Sequence, residues 1–251
     1  MPSGSGDGWA DDYERGRPGW PVEAVRVAGV AAAAVVLDLG AGTGKLTSVL
    51  VGEFARVLAV EPADPMRRLL VERCPEAAVL CGTGQDIPVA SESVDAVFAA
   101  QSFHWFDEDA AVAEIARVLR PGGALVLMWN RPGGPWEPDT GAAEQALSRR
   151  MPDVVDHIPL DLGGPEASSG WQPNVADSPF GRFEAAAFAN PQSLDREGLV
   201  AFYASMGWLA DLPDDARLPL LNEVRSRLTA SEYRRVWETH VHWARRADAV
   251  D

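Results

Sequence analysis

The chain of 251 residues carries 22 basic and 37 acidic side chains, a formal net charge of −15. A chain this acidic lacks the basic face that a nucleic-acid backbone or an anionic lipid surface demands, so neither is an expected partner. With 47 % hydrophobic and 24 % charged residues, the composition is that of a globular protein and not of a disordered one.

Residues 1–12 are rich in Gly, Ser and Asp and show no export signal. Pro21 suits the first position of a helix, because its missing N–H has no partner there in any case. Val22 and Val25 give that short helix one apolar side. The longest uncharged apolar run, Val27 to Leu37, is too short to span a bilayer. Val35 to Leu39 then reads as a buried strand, followed by a Gly-rich turn and a helix bearing Leu46, Val49 and Leu50. Val57 to Val60 is a second strand. Asp64 and Pro65 read as an N-cap and first helical residue, with Met66, Leu69 and Leu70 as the apolar stripe. Cys74 and Cys81 read as free thiols in a reducing, cytoplasmic setting, and no metal site is expected. Val79-Leu80 and Val94 to Ala100 are the third and fourth strands. Val112, Ile115, Ala116 and Leu119 mark a helix that Pro121-Gly122-Gly123 stops, and Ala124 to Trp129 is the fifth strand.

Strands that alternate with helices and are apolar on both faces predict an α/β fold, a doubly wound, mostly parallel Rossmann-like sheet covered on both sides. Beyond Asn130 the composition turns to Gly, Pro and Trp. Trp136, Ile158 and Trp171 mark residues 131–181 as a lid or insertion, with a helical patch from Ala142 to Met151. Phe183 to Phe188 reads as a strand. Leu199, Phe202, Tyr203 and Met206, then Leu221, Val224 and Leu228, read as helical stripes. Tyr233 to Ala244 closes the chain as a strand, expected antiparallel. The reading is one domain, 1–251: an N-terminal cap (1–34), a cofactor-binding core (35–130), the lid (131–181) and a C-terminal part (182–251).

The segment Val36-Leu37-Asp38-Leu39-Gly40-Ala41-Gly42-Thr43-Gly44-Lys45 carries the chemistry. A phosphate-binding P-loop needs glycine where Leu39 stands and Ser or Thr where Leu46 stands, so that reading fails. A dinucleotide fingerprint needs its third glycine where Lys45 stands, so that reading is weak. The glycines let a backbone approach a ligand closely, and the following helix start favours a carboxylate. Glu61, at the end of the second strand and 19 residues beyond Gly42, stands where an acid accepts hydrogen bonds from ribose hydroxyls. A ligand with a carboxylate and a ribose fits both.

With these residues the sequence resembles the class I S-adenosylmethionine-dependent methyltransferases. Val60-Glu61-Pro62 with Met66 resembles their second motif, and Gly82 to Pro88 their adenine-contacting loop, with Thr83, Gly84 and Gln85 at its tip. Val94 to Val97 and Arg117 to Gly123 resemble the fourth strand and the turn into the fifth. Gln101-Ser102-Phe103-His104-Trp105-Phe106 is similar to the branch that includes trans-aconitate methyltransferase and its bacterial small-molecule relatives, as is Tyr13 to Pro21. The resemblance covers residues 35–130 and 13–21. One departure is Gly84-Gln85, where relatives often carry Ala-Glu.

The resemblance implies S-adenosylmethionine as cofactor, held by Asp38, Gly40, Gly42, Gly44, Glu61, Pro62, Met66, Thr83, Gly84, Gln85 and Gln101, with Tyr13 and Arg17 from the cap. It implies in-line methyl transfer to a small molecule, favouring an oxygen or a carboxyl group. His104 reads as a general base, a substrate hydrogen bond or a packing residue beside Trp105. Trp20, Trp105 and Trp136 are expected to contact substrate, in a pocket between the Gln101–Phe106 loop and the lid, closed by Trp136 or Trp171. His240 and His242 alternate on one strand face, without a third metal ligand nearby. A monomer or homodimer is expected. The alternatives are a non-methylating S-adenosylmethionine-binding protein on the same scaffold and a nucleotide-dependent oxidoreductase.

Overall fold

The computed structural model describes residues 7–150 and 179–247, so Ile158 and Trp171 lie outside the described residues. Seven strands form one sheet in the order β3-β2-β1-β4-β5-β7-β6. They are β1 (Val35–Leu39), β2 (Arg56–Val60), β3 (Ala78–Leu80), β4 (Val94–Ala100), β5 (Leu119–Pro132), β6 (Glu184–Asp195) and β7 (Glu232–Arg245). β1 pairs in parallel with β2 and β4, β2 with β3, and β4 with β5. The C-terminal strand pair is antiparallel. Helices connect the parallel strands: α3 (Thr47–Glu53), α4 (Asp64–Arg73) and α5 (Glu108–Val118), while α2 (Val22–Arg26) precedes β1.

The alternation along each strand sorts side chains to two apolar layers. Leu37, Leu39, Val97, Leu125 and Leu127 pack with Ala111, Ile115 and Val118 of α5 on one side. Val36, Phe98, Val126 and Met128 pack with Val25 of α2 and Leu50 of α3 on the other. Burial on both faces is what makes these strands nearly continuous apolar runs.

By compactness the chain divides into two units. The first comprises, among described residues, 7–18, 131–150 and 189–238. The second comprises 19–130, 179–188 and 239–247. The first unit holds α1 (Asp7–Gly16), α6 (Gly141–Arg149), α7 (Arg196–Ala204), α8 (Gly207–Ala210) and α9 (Asp214–Arg227). α1 lies so close to α7 that a Cβ on Gly16 would stand 2.2 Å from the Phe202 backbone nitrogen, which only glycine allows. Trp9 Nε1 donates to the Ser205 carbonyl at 3.1 Å, fastening the same contact. Its core is Trp136, Leu199, Phe202, Tyr203, Leu221, Val224, Tyr233 and Trp237.

Two local expectations are corrected. β5 begins at Leu119, directly after α5, and not at Ala124. Leu119 pairs with Val94, and the irregularity between Val94 and Ala96 absorbs Pro121 to Gly123, with Gly122 at φ +72°. Asp64 is the first residue of α4 and not its cap; Ala63 caps the helix without a side-chain bond, while the Asp64 carboxylate pairs with Arg67.

Candidate functional site

Between β1 and β4 the chain order reverses, leaving a crevice at the carboxyl ends of the strands where ligands bind in open α/β sheets. The register aligns those ends: Leu39 pairs with Val60, and Asp38 with both Ala59 and Phe98. Gly40, Glu61 and Gln101 therefore emerge on one edge of the second unit.

The turn after β1 starts with the amides of Gly40 and Ala41, which donate to the Val60 carbonyl at 2.8 and 3.0 Å. Gly40, Gly42 and Gly44 have φ of +72°, +58° and +92°, a region side chains rarely adopt. The three glycines differ in what they face. A Cβ on Gly40 would lie 2.5 Å from Ser102 Cβ, and one on Gly44 2.7 Å from Leu70 Cδ1, so these two permit close packing. A Cβ on Gly42 would meet nothing within 4 Å.

Glu61 is 1 % exposed and binds the turn directly. Its Oε2 accepts from the Gly42 amide at 2.9 Å and its Oε1 from the Ala63 amide at 2.9 Å. Burial raises its pKa, against the lowering pull of those two amides and of Arg67. Asp38, also 1 % exposed, accepts from Thr47 Oγ1 at 2.6 Å, and desolvation raises its pKa to about 7. Thr47 thus joins α3 to the strand, a role that no motif in the sequence signals.

Gln101 follows β4 at φ +52°, unusual for a residue with a side chain. Its amide donates to the Met128 carbonyl and its Nε2 to the Asn130 carbonyl at 3.2 Å, while its Oε1 is buried and accepts nothing. Asn130 is itself held, accepting from Thr239 Oγ1 at 2.5 Å and donating to the Gly19 carbonyl at 3.0 Å. Ser102 Oγ donates to the Leu39 carbonyl at 2.7 Å, tying the β4 loop to the β1 edge.

Phe103 to Trp105 forms a single 3-10 turn, with the His104 and Trp105 rings 5.1 Å apart. Trp105 is 53 % exposed. His104 is exposed by surface area as well, yet desolvation by surrounding protein lowers its pKa to about 4. Exposure describes access to the ring, and the lowered pKa its protonation: the imidazole is neutral near pH 7.

The loop after β3 closes on itself, with the Thr83 and Asp86 backbones paired and the Asp86 amide reaching Thr83 Oγ1 at 3.2 Å. Thr83 and Gln85 are exposed, Met66 is 3 % exposed and Pro62 is half-buried. The departure at Gly84 has a steric cause: a Cβ there would stand 2.7 to 2.9 Å from the Phe106 ring. The same ring comes within 3.4 Å of a Cβ built on Gly40. Phe106 therefore packs against both glycine turns, which sequence reading missed because those turns are 44 residues apart.

Trp20 packs on the apolar layer around Val25 and Phe98, and Trp129 is fully buried in the opposite layer. Tyr13, Arg17 and Trp136 belong to the first unit. There Arg17 Nε donates to Ser205 Oγ at 2.8 Å and Trp136 is 1 % exposed. His240 and His242 lie on β7 within the second unit.

Residues 37–127 match the profile of the methyltransferase domain family. Over 213 residues the chain is 30 % identical to an uncharacterized methyltransferase-like protein of Schizosaccharomyces pombe, covering 82 % of this chain and 78 % of that one. The chain belongs to the class I S-adenosylmethionine-dependent methyltransferases. Membership in this family decides against the oxidoreductase alternative. An uncharacterized methyltransferase of Mycobacterium tuberculosis is 52 % identical over 118 residues, 47 % of this chain and 49 % of the relative. The chain thus spans about half the length of the mycobacterial relatives it matches. A putative type II methyltransferase from Anaeromyxobacter dehalogenans shares the fold, with a TM-score of 0.65 at 23 % identity over 92 % of this chain and 98 % of that one. Among the described residues, no helix is long and apolar enough to cross a membrane.

Proposed function

We propose that this methyltransferase moves the methyl group of S-adenosylmethionine to an oxygen of a small-molecule acceptor, with the cofactor seated at the carboxyl edge of β1, β2 and β4. The observation that carries the reading is the unequal environment of the three glycines. Gly40 and Gly44 are hemmed in by protein, whereas Gly42 turns toward open space, with its amide held by Glu61. A side chain at Gly42 would fill the room that a cofactor needs. The buried, unpartnered Oε1 of Gln101 on the same edge fits the same reading, because it requires a donor from outside the chain.

In this reading Glu61 accepts from the ribose hydroxyls through the lone pairs its two backbone donors leave open. Gln101 accepts a hydrogen bond from the cofactor, and Thr83, Gly84, Gln85 and Met66 border the adenine. When bound, S-adenosylmethionine supplies a sulfonium methyl that an oxygen lone pair takes in line, the C–S bond breaking and S-adenosylhomocysteine remaining. The loop from Gln101 to Phe106 orients the acceptor. The lowered pKa of His104 leaves its imidazole neutral near pH 7, able to position an acceptor oxygen by a hydrogen bond, and an oxygen already ionised, such as a carboxylate, needs no base. O-methylation also accords with a malonyl-[acyl-carrier protein] O-methyltransferase of Methylococcus capsulatus, 43 % identical over 98 residues and 36 % of that protein.

The test is transfer of labelled methyl from S-adenosylmethionine into a fractionated metabolite extract, with release of S-adenosylhomocysteine. Label is expected in an extractable small molecule. Cofactor binding without transfer would instead support the non-methylating reading. With a pre-ionised acceptor, His104→Ala raises KM and leaves kcat nearly unchanged. A fall in kcat of ~10²–10⁴-fold would make His104 a base after all.

A further inference from the structure

Residues 82–89, between β3 and β4, are hung on α5 and on the turn before it. The Ile87 amide donates to Glu114 Oε2 at 3.0 Å, and Arg117 donates to the Ile87 and Val89 carbonyls, each at 2.8 Å. Arg117 Nε also donates to Glu114 Oε1 at 2.6 Å, so the two side chains clamp the far end of the loop together. At its tip, buried Gly84 rests on the half-buried ring of Phe106. All of these residues belong to the second unit.

The Phe106 ring meets the two glycine turns at opposite ends. A Cβ on Gly84 would lie 2.7 Å from its Cγ and 2.8 and 2.9 Å from its Cδ2 and Cδ1, whereas a Cβ on Gly40 would lie 3.4 Å from its Cζ. Gly84 does not share the positive φ of Gly40, so its backbone accepts a side chain and the ring is what excludes one. Turning the ring about its Cβ–Cγ bond gives no relief, because Cγ lies on that axis. Room comes only from swinging the whole ring or shifting the loop. The ring is held in turn: it makes an edge contact with buried Phe103, 5.9 Å between centroids, and the Phe106 amide donates to the Phe103 carbonyl at 3.0 Å. Ser102 fastens the same turn to the β1 edge through the Leu39 carbonyl. Close packing then leaves the two loops one spacing.

We propose that Phe106 is a positioning residue for methyl transfer: its ring sets the distance between the Gly40 turn and the Gly84 loop, and with it the width of the cofactor seat. The proposal rests on the seat assigned above to the carboxyl edge of β1, β2 and β4. Phe106 acts through Gly40 and Gly84 and not on the reacting atoms. Because Gln101 and His104 stand on the same turn, a movement of the ring that shifts either loop also shifts the acceptor side.

The test compares wild type with Gly84→Ala, Phe106→Leu and the double variant. Calorimetric titration without acceptor measures the affinities of S-adenosylmethionine and S-adenosylhomocysteine, and urea unfolding measures stability. Gly84→Ala drives a methyl group into the ring, displaces the loop and weakens both ligands about 10–100-fold. Phe106→Leu leaves a gap and weakens them about 3–10-fold. In the double variant the smaller side chain makes room for the methyl group, and both ligands bind at least about 5-fold more tightly than to Gly84→Ala alone. Losses that multiply as for independent sites, or a Gly84→Ala protein that binds as wild type does, would overturn the proposal. A packing role alone would lower the urea midpoints of the single variants and leave affinity at room temperature unmoved, and that pattern also overturns it. If Gly84→Ala does not fold, Phe106→Met and Phe106→Ala take its place. The flexible Met side chain fills the space of the ring and keeps affinity within about 3-fold of wild type, while Ala loses about 10-fold or more; equal losses would count against the ring. Gly42→Val separates the positioning role from the seat itself. Binding that survives Gly42→Val overturns the seat and the positioning role with it. Binding lost in Gly42→Val but indifferent to the Gly84 and Phe106 variants overturns the positioning role alone.

Discussion

Glu61→Ala tests whether this carboxylate holds the glycine turn open for a ligand. The side chain accepts from the Gly42 and Ala63 amides, each at 2.9 Å. Hydrogen bonds to a charged acceptor contribute about 1.5–3 kcal/mol each. Two of them sum to about 3–6 kcal/mol before the burial penalty, whose presence is visible in the raised pKa. Subtracting a desolvation cost of about 1–3 kcal/mol leaves a loss of about 0–5 kcal/mol on truncation, centred near 2–3 kcal/mol. Glu61→Gln keeps the shape and one carbonyl acceptor but turns an NH2 toward an amide, so it should lose about half as much. Urea unfolding followed by circular dichroism measures the stability of all three proteins, and calorimetric titration measures S-adenosylmethionine affinity. Affinity should fall about 10–100-fold in the Ala variant, as turn geometry and ribose contact are lost together. An Ala variant within about 0.5 kcal/mol of wild type, with unchanged affinity, would refute the reasoning.

Gly42→Val places a β-branched side chain at φ +58° into open space. The strain should cost about 1–3 kcal/mol while the fold persists, and S-adenosylmethionine binding should be lost by calorimetry; a folded variant that binds normally removes the cradle. Asp38 predicts a pH effect. Its folded pKa of about 7 lies above the ordinary carboxyl value of 3.8, so its contribution to stability is full below about pH 4 and lost as pH rises through 7. A shift of about three units corresponds to a swing on the order of 4 kcal/mol. Without cofactor, the gap in unfolding midpoint between wild type and Asp38→Asn should therefore change steadily between about pH 4 and 7 in favour of the variant and level off above that; a constant gap would count against the buried, uncharged carboxyl.

Much of the second unit was legible because its signals are local. A strand, a glycine turn and a helix are adjacent in the chain, and the parallel register carries Glu61 and Gln101 to the edge that holds the turn. Errors arose where a distant partner overrode a local rule. Pro121 to Gly123 read as a stop before the fifth strand, but pairing of Leu119 with Val94 starts the strand earlier. Other contacts had no local signal at all: Arg17 Nε donates to Ser205 Oγ, 188 residues away.

The amino-acid order by itself determined the α/β alternation, the candidate cofactor edge and the family resemblance, because hydrophobic period and turn chemistry act over a few residues. Only the tertiary structure decided which of the three glycines faces open space and why Gly84 must lack a side chain beneath Phe106. Each of those depends on atoms brought together from remote parts of the chain, and close packing leaves one arrangement in which they fit.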